Sequence, residues 1–174
     1  MYLRAGDEYA DREMQLMSEV LATIDSKLAE VLRLIAVSAD PESDGLTDRG
    51  EYFIGVGFSV IQQYLTDTLT LTGVSKKRAL DIGPRYSEKF TVVAVVNAAA
   101  NWWKHSAEWV GQSVKDKVAL NTQEIVSEVA NAEDYPLSIV LSELQDKDQI
   151  SLGALLPNLV LWRSAVDRER QQNA

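Results

Sequence analysis

A chain of 174 residues with 46% hydrophobic content is long enough for one domain with its own core. It has no cysteine and a single histidine, His105, which excludes disulfides, thiolate zinc sites, cysteine nucleophiles and a multi-histidine metal centre within one chain. Its formal net charge of -9 gives a surface that repels phosphate backbones, so nucleic acid is not an expected partner.

The N-terminal stretch MYLRAGDEYADRE is charged and lacks the apolar centre of a signal peptide. No apolar run approaches the roughly 18–20 residues of a membrane span. A soluble, cytoplasmic protein of bacterial style is expected. From about Asp7 to Ser38, the residues Leu16, Val20, Ile24, Leu28, Val31 and Ile35 recur at steps of three or four. That spacing predicts a long first helix with these residues on its buried face, widened by Leu21 and Leu32. DPESDG, Asp40 to Gly45, predicts a loop, and it lacks the spacing and terminal glutamate of a calcium loop.

A second helix is expected from about Thr47 to Leu71, capped by Thr47 or Asp48. Its buried side would hold Val56, Val60, Tyr64, Leu65, Thr68 and Leu69. Gly55 and Gly57 lack the further glycine and preceding strand of a phosphate loop, so they predict close helix packing or a local kink. TGVSKKRALDIGP predicts a basic turn with a short helix, capped by Ser75 and ended by Gly83 and Pro84. Lys76, Lys77 and Arg78 read first as solvated charges and second as an anion contact.

The third long helix is expected from about Tyr86 to Gln112, with Phe90, Val93, Val96, Asn97 and Ala100 along one side. It is apolar on more than one face through Val92 to Val96, as a helix at the centre of a bundle or in a dimer interface would be. Beyond it the pattern shortens. Asn121 or Thr122 would cap a helix over about 123–131, Asp134, Tyr135 and Pro136 break it, and Leu137 to Leu144 form another. After the polar loop QDKDQ, Ser151 would cap a last helical region in which Pro157 kinks the chain or opens a new helix. Leu155, Leu159, Leu161, Trp162 and Val166 form its apolar side, and a polar tail from about Arg168 is expected to fray. The predicted fold is all-α. It is a single helical domain over 1–174, a bundle of about three long helices followed by two or three shorter ones.

The chemistry concentrates in RYSEKFTVVAVVNAAANWWKHSAEWVG, Arg85 to Gly111. Asn101, His105 and Glu108 are spaced i, i+4 and i+7, so one helix face presents an amide, an imidazole and a carboxylate. Glu108 is placed to bond His105 and fix its tautomer. Lys104 and Arg85 are the nearby cations for an anion. Trp102 and Trp109 share a stripe, and each indole N–H needs a partner if buried. These residues form either the rim of a ligand pocket or an aromatic anchor between helices, and a lone histidine on a helix is more often structural.

The run ANWWKHSAEW resembles the N-aromatic-x-K-H-x-x-E-W signature of uncharacterised bacterial helical proteins. More distantly it resembles the HEPN superfamily of helical-bundle ribonucleases. That superfamily carries Arg, four to six residues, then His, often with a polar residue after the Arg, and two copies meet across a dimer interface to cleave RNA. Asn101 and His105 match the polar residue and the histidine. Ala98, Ala99 and Ala100 occupy the positions where the arginine would stand. Metal-free RNA cleavage needs a base and a cation for the phosphorane, and lysine is a poorer bidentate phosphate partner than arginine. The resemblance therefore implies a degenerate, HEPN-like, non-enzymatic interaction protein that pairs with a protein partner or with itself as a homodimer. The alternatives are a metal-free endoribonuclease using His105 with Asn101 and Glu108, and an acidic immunity or antitoxin-like protein that binds a basic partner. No cofactor, metal ion or membrane is expected as a partner.

Overall fold

The computed structural model describes residues 2–5, 8–109, 116–132, 134–145 and 150–172. A short antiparallel hairpin comes first, β1 (Tyr2–Ala5) and β2 (Glu8–Asp11), with Tyr2 opposite Asp11 and Ala5 opposite Glu8. The helix expected from Asp7 therefore starts later, at Arg12. Asp11 sets this boundary, because its extended backbone lets its carboxylate accept from the Met14 amide at 3.1 Å.

Helix α1 (Arg12–Ile35) buries Met17, Leu21, Ile24, Leu28 and Val31. This corrects the expected face at its N-terminal half, since Leu16 and Val20 are 51% and 45% exposed. Both stripes satisfy the helical period, and only the neighbouring helices decide between them. Helix α2 (Leu46–Thr72) begins after Gly45 in the left-handed region and has no side-chain cap. Thr47, an expected cap, instead donates to the Tyr135 hydroxyl at 2.9 Å, and Asp48 stands in the first turn. Ile54, Phe58, Ile61, Tyr64, Leu65 and Thr68 are buried, while Val56 and Val60 are only half-buried.

The two glycines of α2 are close-packing positions. A Cβ on Gly55 would stand 2.4 Å from the Trp103 ring, and one on Gly57 would stand 2.1 Å from Leu152. Alanine at either position would force the neighbour aside. Helix α3 (Lys76–Asp81) is capped by Ser75, as expected, through the Arg78 amide at 3.3 Å.

The central helix, α4 (Val92–Trp109), starts six residues later than Tyr86. Residues 85–91 close a turn instead. The Tyr86 and Ser87 amides donate to the Phe90 carbonyl, and the Ser87 hydroxyl accepts from the Lys89 and Phe90 amides. Thr91 then caps α4 by accepting from Ala94 N at 3.1 Å, while its own hydroxyl donates to the Leu80 carbonyl. Val92, Val93, Val95, Val96 and Ala98 to Ala100 are all buried, so α4 is enclosed on most of its circumference. Its expected end at Gln112 lies outside the described residues, as do positions 146–149 of the polar loop.

Helix α5 (Lys117–Ala130) is capped by Asp116, which accepts from Ala119 N at 3.0 Å. Asn121 and Thr122 lie inside that helix, one exposed and one buried, and cap nothing. Helix α6 (Pro136–Glu143) follows Tyr135, whose φ is 50°. Its free N-terminal amides are satisfied from α2: the Glu51 carboxylate accepts from Leu137 N, Ser138 N and Ser138 Oγ at 2.7, 2.9 and 2.6 Å.

A 3-10 turn over Leu152–Leu155 leads into α7 (Leu156–Gln172), with Pro157 in the first helical turn. Ser151 makes no side-chain cap there. Asp25 of α1 does so, accepting from Leu152 N, Gly153 N and Ser151 Oγ. Leu159, Trp162 and Val166 are buried as expected, but Leu161 is exposed. The tail from Arg168 is helical to Gln172, and Glu169 accepts two hydrogen bonds from Arg78 at 3.0 and 2.9 Å. Every helix contributes to one hydrophobic cluster. Among the described residues, no helix is long and apolar enough to cross a membrane.

Candidate functional site

The second half of α4 divides its motif between two faces. Asn97, Asn101 and Lys104, at i, i+4 and i+7, turn toward α2 and meet Gln62. Gln62 Nε2 donates to the side-chain oxygens of Asn97 and Asn101, both at 2.9 Å. Its Oε1 accepts from Lys104 Nζ at 2.5 Å. Partial burial, and then the charge of Lys76, hold the Lys104 amine below the ordinary lysine range. Trp103 lies over Gly55 and meets Tyr52 edge-on, with ring centroids 4.7 Å apart.

The other face carries Trp102, His105 and Trp109. Trp102 and Trp109 are in T-shaped contact at 5.8 Å, and His105 stacks on Trp109 at 6.4 Å. His105 Nδ1 is 3.3 Å from Glu108 Oε1, and both side chains are largely solvated, at 47% and 69% exposure. His105 and Glu108 therefore come together as the spacing predicts. Asn101 does not join them through its oxygen, which is engaged by Gln62. Arg85 does not join them either. It precedes α4, and the helical path from Val92 to His105 alone spans about 20 Å. The ionisable group that meets His105 is a carboxylate.

One cluster has no counterpart in the sequence reading. Asp11, Tyr64 and Arg163 meet where β2, α2 and α7 converge. The Tyr64 hydroxyl donates to Asp11 Oδ2 at 2.8 Å, and Arg163 Nε lies 3.5 Å from the same oxygen. The other oxygen, Oδ1, caps α1. Asp167 is also buried there; its Oδ2 accepts from Gln171, and its Oδ1 lies 3.1 Å from Arg170 Nη2 as an ion pair. A groove of about 560 Å³ opens beside the cluster, lined in part by Met14, Gln15, Val160 and Arg163. Nothing local in the sequence signals this site, because its members are 53 and more positions apart.

Burial pushes the Tyr64 phenol well above the ordinary tyrosine range, and the Asp11 charge adds to the effect. The folded-state pKa is raised, so the contribution to stability is complete below about pH 10, the unfolded value, and is lost as pH rises beyond it. Tyr64→Phe should lose about 1–2 kcal/mol at neutral pH through the missing hydrogen bond to Asp11. It should also flatten the alkaline fall in stability. Urea midpoints measured on either side of pH 10 check this, and equal alkaline slopes for the two proteins would count against it.

Fold and site together define a helical bundle whose central helix carries an exposed imidazole–carboxylate–indole cluster on one face and an amide–lysine cluster on another. No family model, curated protein or solved structure matches this chain. Among the described residues, no three histidine, aspartate or glutamate side chains converge as metal ligands would.

Proposed function

We propose that this is a non-enzymatic helical interaction protein, a degenerate HEPN-like chain that pairs with a second copy of itself through the end of α4. The observation that carries this reading is the partner of His105. Phosphoryl transfer at this histidine would call for a cation to stabilise the developing charge. Glu108 stands there instead, and Lys104, the cation of the motif, is turned to Gln62. What remains on the outer face is an indole pair with an imidazole stacked on it. Amphipathic rings of this kind are enriched at protein interfaces. Two copies of the HEPN fold meet across this part of the helix, so a second copy is the occupant the resemblance supports. The interior of α4 serves the monomer's own core, which leaves its distal turns for the partner.

Light scattering and sedimentation test the reading. The wild-type chain is expected to be dimeric at micromolar concentration. Trp109→Ser, which alters the outer face and not the core, should weaken association by about tenfold or more while the helical circular dichroism is unchanged. A wild-type chain that stays monomeric at high concentration rejects the dimer. His105 and Glu108 also fit a general base oriented by a carboxylate, the arrangement a nuclease would use. Metal-independent RNA cleavage that His105→Ala abolishes would replace the non-enzymatic reading with that one.

A further inference from the structure

The groove beside the Asp11–Tyr64–Arg163 cluster has a fixed hydrogen-bonding polarity. It opens between β2, the first turns of α1 and the middle of α7, with a volume of about 560 Å³. A volume of several hundred Å³ is the size at which small molecules are held. The apolar lining comes from Ala10, Met14 and Val160. Val160 is 48% exposed, so this wall is apolar although it faces solvent. Met14 is unbranched and adapts its shape to what lies against it.

The polar groups of the walls are set to accept. Ser18 Oγ, on α1, donates to the Gln15 carbonyl at 2.7 Å, and Ser164 Oγ, on α7, donates to the Val160 carbonyl at 3.0 Å. A hydroxyl carries one proton. Each serine therefore has only oxygen lone pairs left for the groove. Gln15, at the mouth, donates its amide nitrogen to Glu19 Oε1 at 3.2 Å. A carboxylate only accepts, which assigns the Gln15 nitrogen to that contact and leaves its oxygen for the groove.

Charges balance at the floor. Arg163 is 4% exposed, and its Nε lies 3.5 Å from Asp11 Oδ2, which also accepts from the Tyr64 hydroxyl. Asp11 Oδ1 is engaged by the Met14 amide. An ion pair buried in this way adds little stability over apolar packing of the same volume. Its effect on an incoming ligand is to discriminate by charge. An anion would meet the Asp11 carboxylate and three acceptor oxygens. A cation would meet Arg163, with Asp11 already committed.

We infer that the groove between α1 and α7 binds a neutral small molecule with an apolar body and an O–H or N–H donor. Its body rests against Met14 and Val160, and its donor meets the Ser18 and Ser164 oxygens. None of the lining residues belongs to α4, so the site stands whether or not the chain dimerises through that helix.

The test follows the backbone amide signals of Ser18 and Ser164 by nuclear magnetic resonance. The probes share one ring system: naphthylethanol, its methyl ether, naphthylethylammonium and naphthylacetate. Saturable shifts of both amides are expected with the alcohol, at about threefold or more tighter affinity than with the ether, which has lost the donor. Ser164→Ala should narrow that difference. Val160→Trp, which fills the groove from an exposed position, should weaken the alcohol by about tenfold or more. Leu161→Trp, one residue on and outside the groove, should leave it unaltered. Absence of saturation by the alcohol at its solubility limit overturns the site, as does an equal loss in Leu161→Trp. Equal affinity for alcohol and ether overturns the donor requirement. Tighter binding of the ammonium or the carboxylate overturns the neutral class.

Discussion

Replacing Trp162 by alanine should lower the unfolding free energy by about 3–5 kcal/mol, the range for removing a large buried aromatic ring. Trp162 is completely buried in α7. Its indole Nε1 donates to the Ala79 carbonyl at 2.8 Å, and its ring meets Tyr64 edge-on at 6.2 Å. It therefore ties α7 to α3 and α2 at once. Gly83 follows α3 with φ of 100°, and a Cβ there would stand 3.2 Å from the Trp162 backbone, so this turn packs closely on α7. Trp162→Phe separates the two contributions. It keeps most of the packing and loses the donor, which leaves the Ala79 carbonyl unsatisfied at a cost of about 1–3 kcal/mol. Urea denaturation of the three proteins measures both steps, and a loss under about 1 kcal/mol for alanine would show that α7 is not anchored in this way.

Asp25→Ala should be the next most costly single change, at about 2–4 kcal/mol. One carboxylate on α1 accepts three hydrogen bonds, from Leu152 N and Ser151 Oγ at 2.7 Å and from Gly153 N at 2.9 Å. It closes the start of the 3-10 turn that feeds α7, and Leu152 packs on Gly57 just beyond it. Without the carboxylate, two backbone amides lose their acceptor and the turn loses its tie to α1. Asp25→Asn retains an acceptor without the charge and should lose less. Asp40→Ala is the control, because that carboxylate is exposed and serves only its own loop through Ser43. Amide exchange at Leu152 and Gly153 should accelerate selectively in Asp25→Ala. Unchanged protection at those two amides would contradict the assigned role of Asp25.

Both predictions rest on contacts that the sequence reading reached only halfway. Trp162 was legible as a core residue, because Leu159, Trp162 and Val166 keep the helical period. Its hydrogen-bond partner was not, since Ala79 lies 83 positions away. Asp25 carried no signal at all. It reads as a polar residue on a helix flank, and Ser151, a good cap by type, drew the capping role to itself. At α6, for which the sequence reading named no cap, Glu51 supplies it from α2. Local capping rules succeed where the cap is a neighbour in sequence, as with Ser75, and fail where a distant carboxylate reaches the helix end first.

The site was legible in a similar, partial way. Helical spacing correctly brought His105 to Glu108, and it grouped Trp102 with Trp109. It put Asn101 with His105 because the two are one turn apart, yet Gln62 claims the Asn101 oxygen. Helical geometry allows Asn101 to face either flank, and only the position of α2 resolves the choice. The Asp11–Tyr64–Arg163 cluster was invisible for the same reason as the distant caps.

By itself, then, the sequence determined the helical-bundle character, the long first and second helices and the apolar surround of Val92 to Val96, and it narrowed Gly55 and Gly57 to close packing or a kink. These follow from apolar period and side-chain size, which act locally. Tertiary structure alone decided which of two apolar stripes α1 buries, that residues 8–11 pair as a strand, which carboxylates cap α6 and the turn before α7, and that Lys104 faces α2 while His105 faces solvent. Those outcomes depend on which partner is nearest in space. A polar group is satisfied by whatever neighbour the packed helices bring to it, and its own sequence position does not name that neighbour.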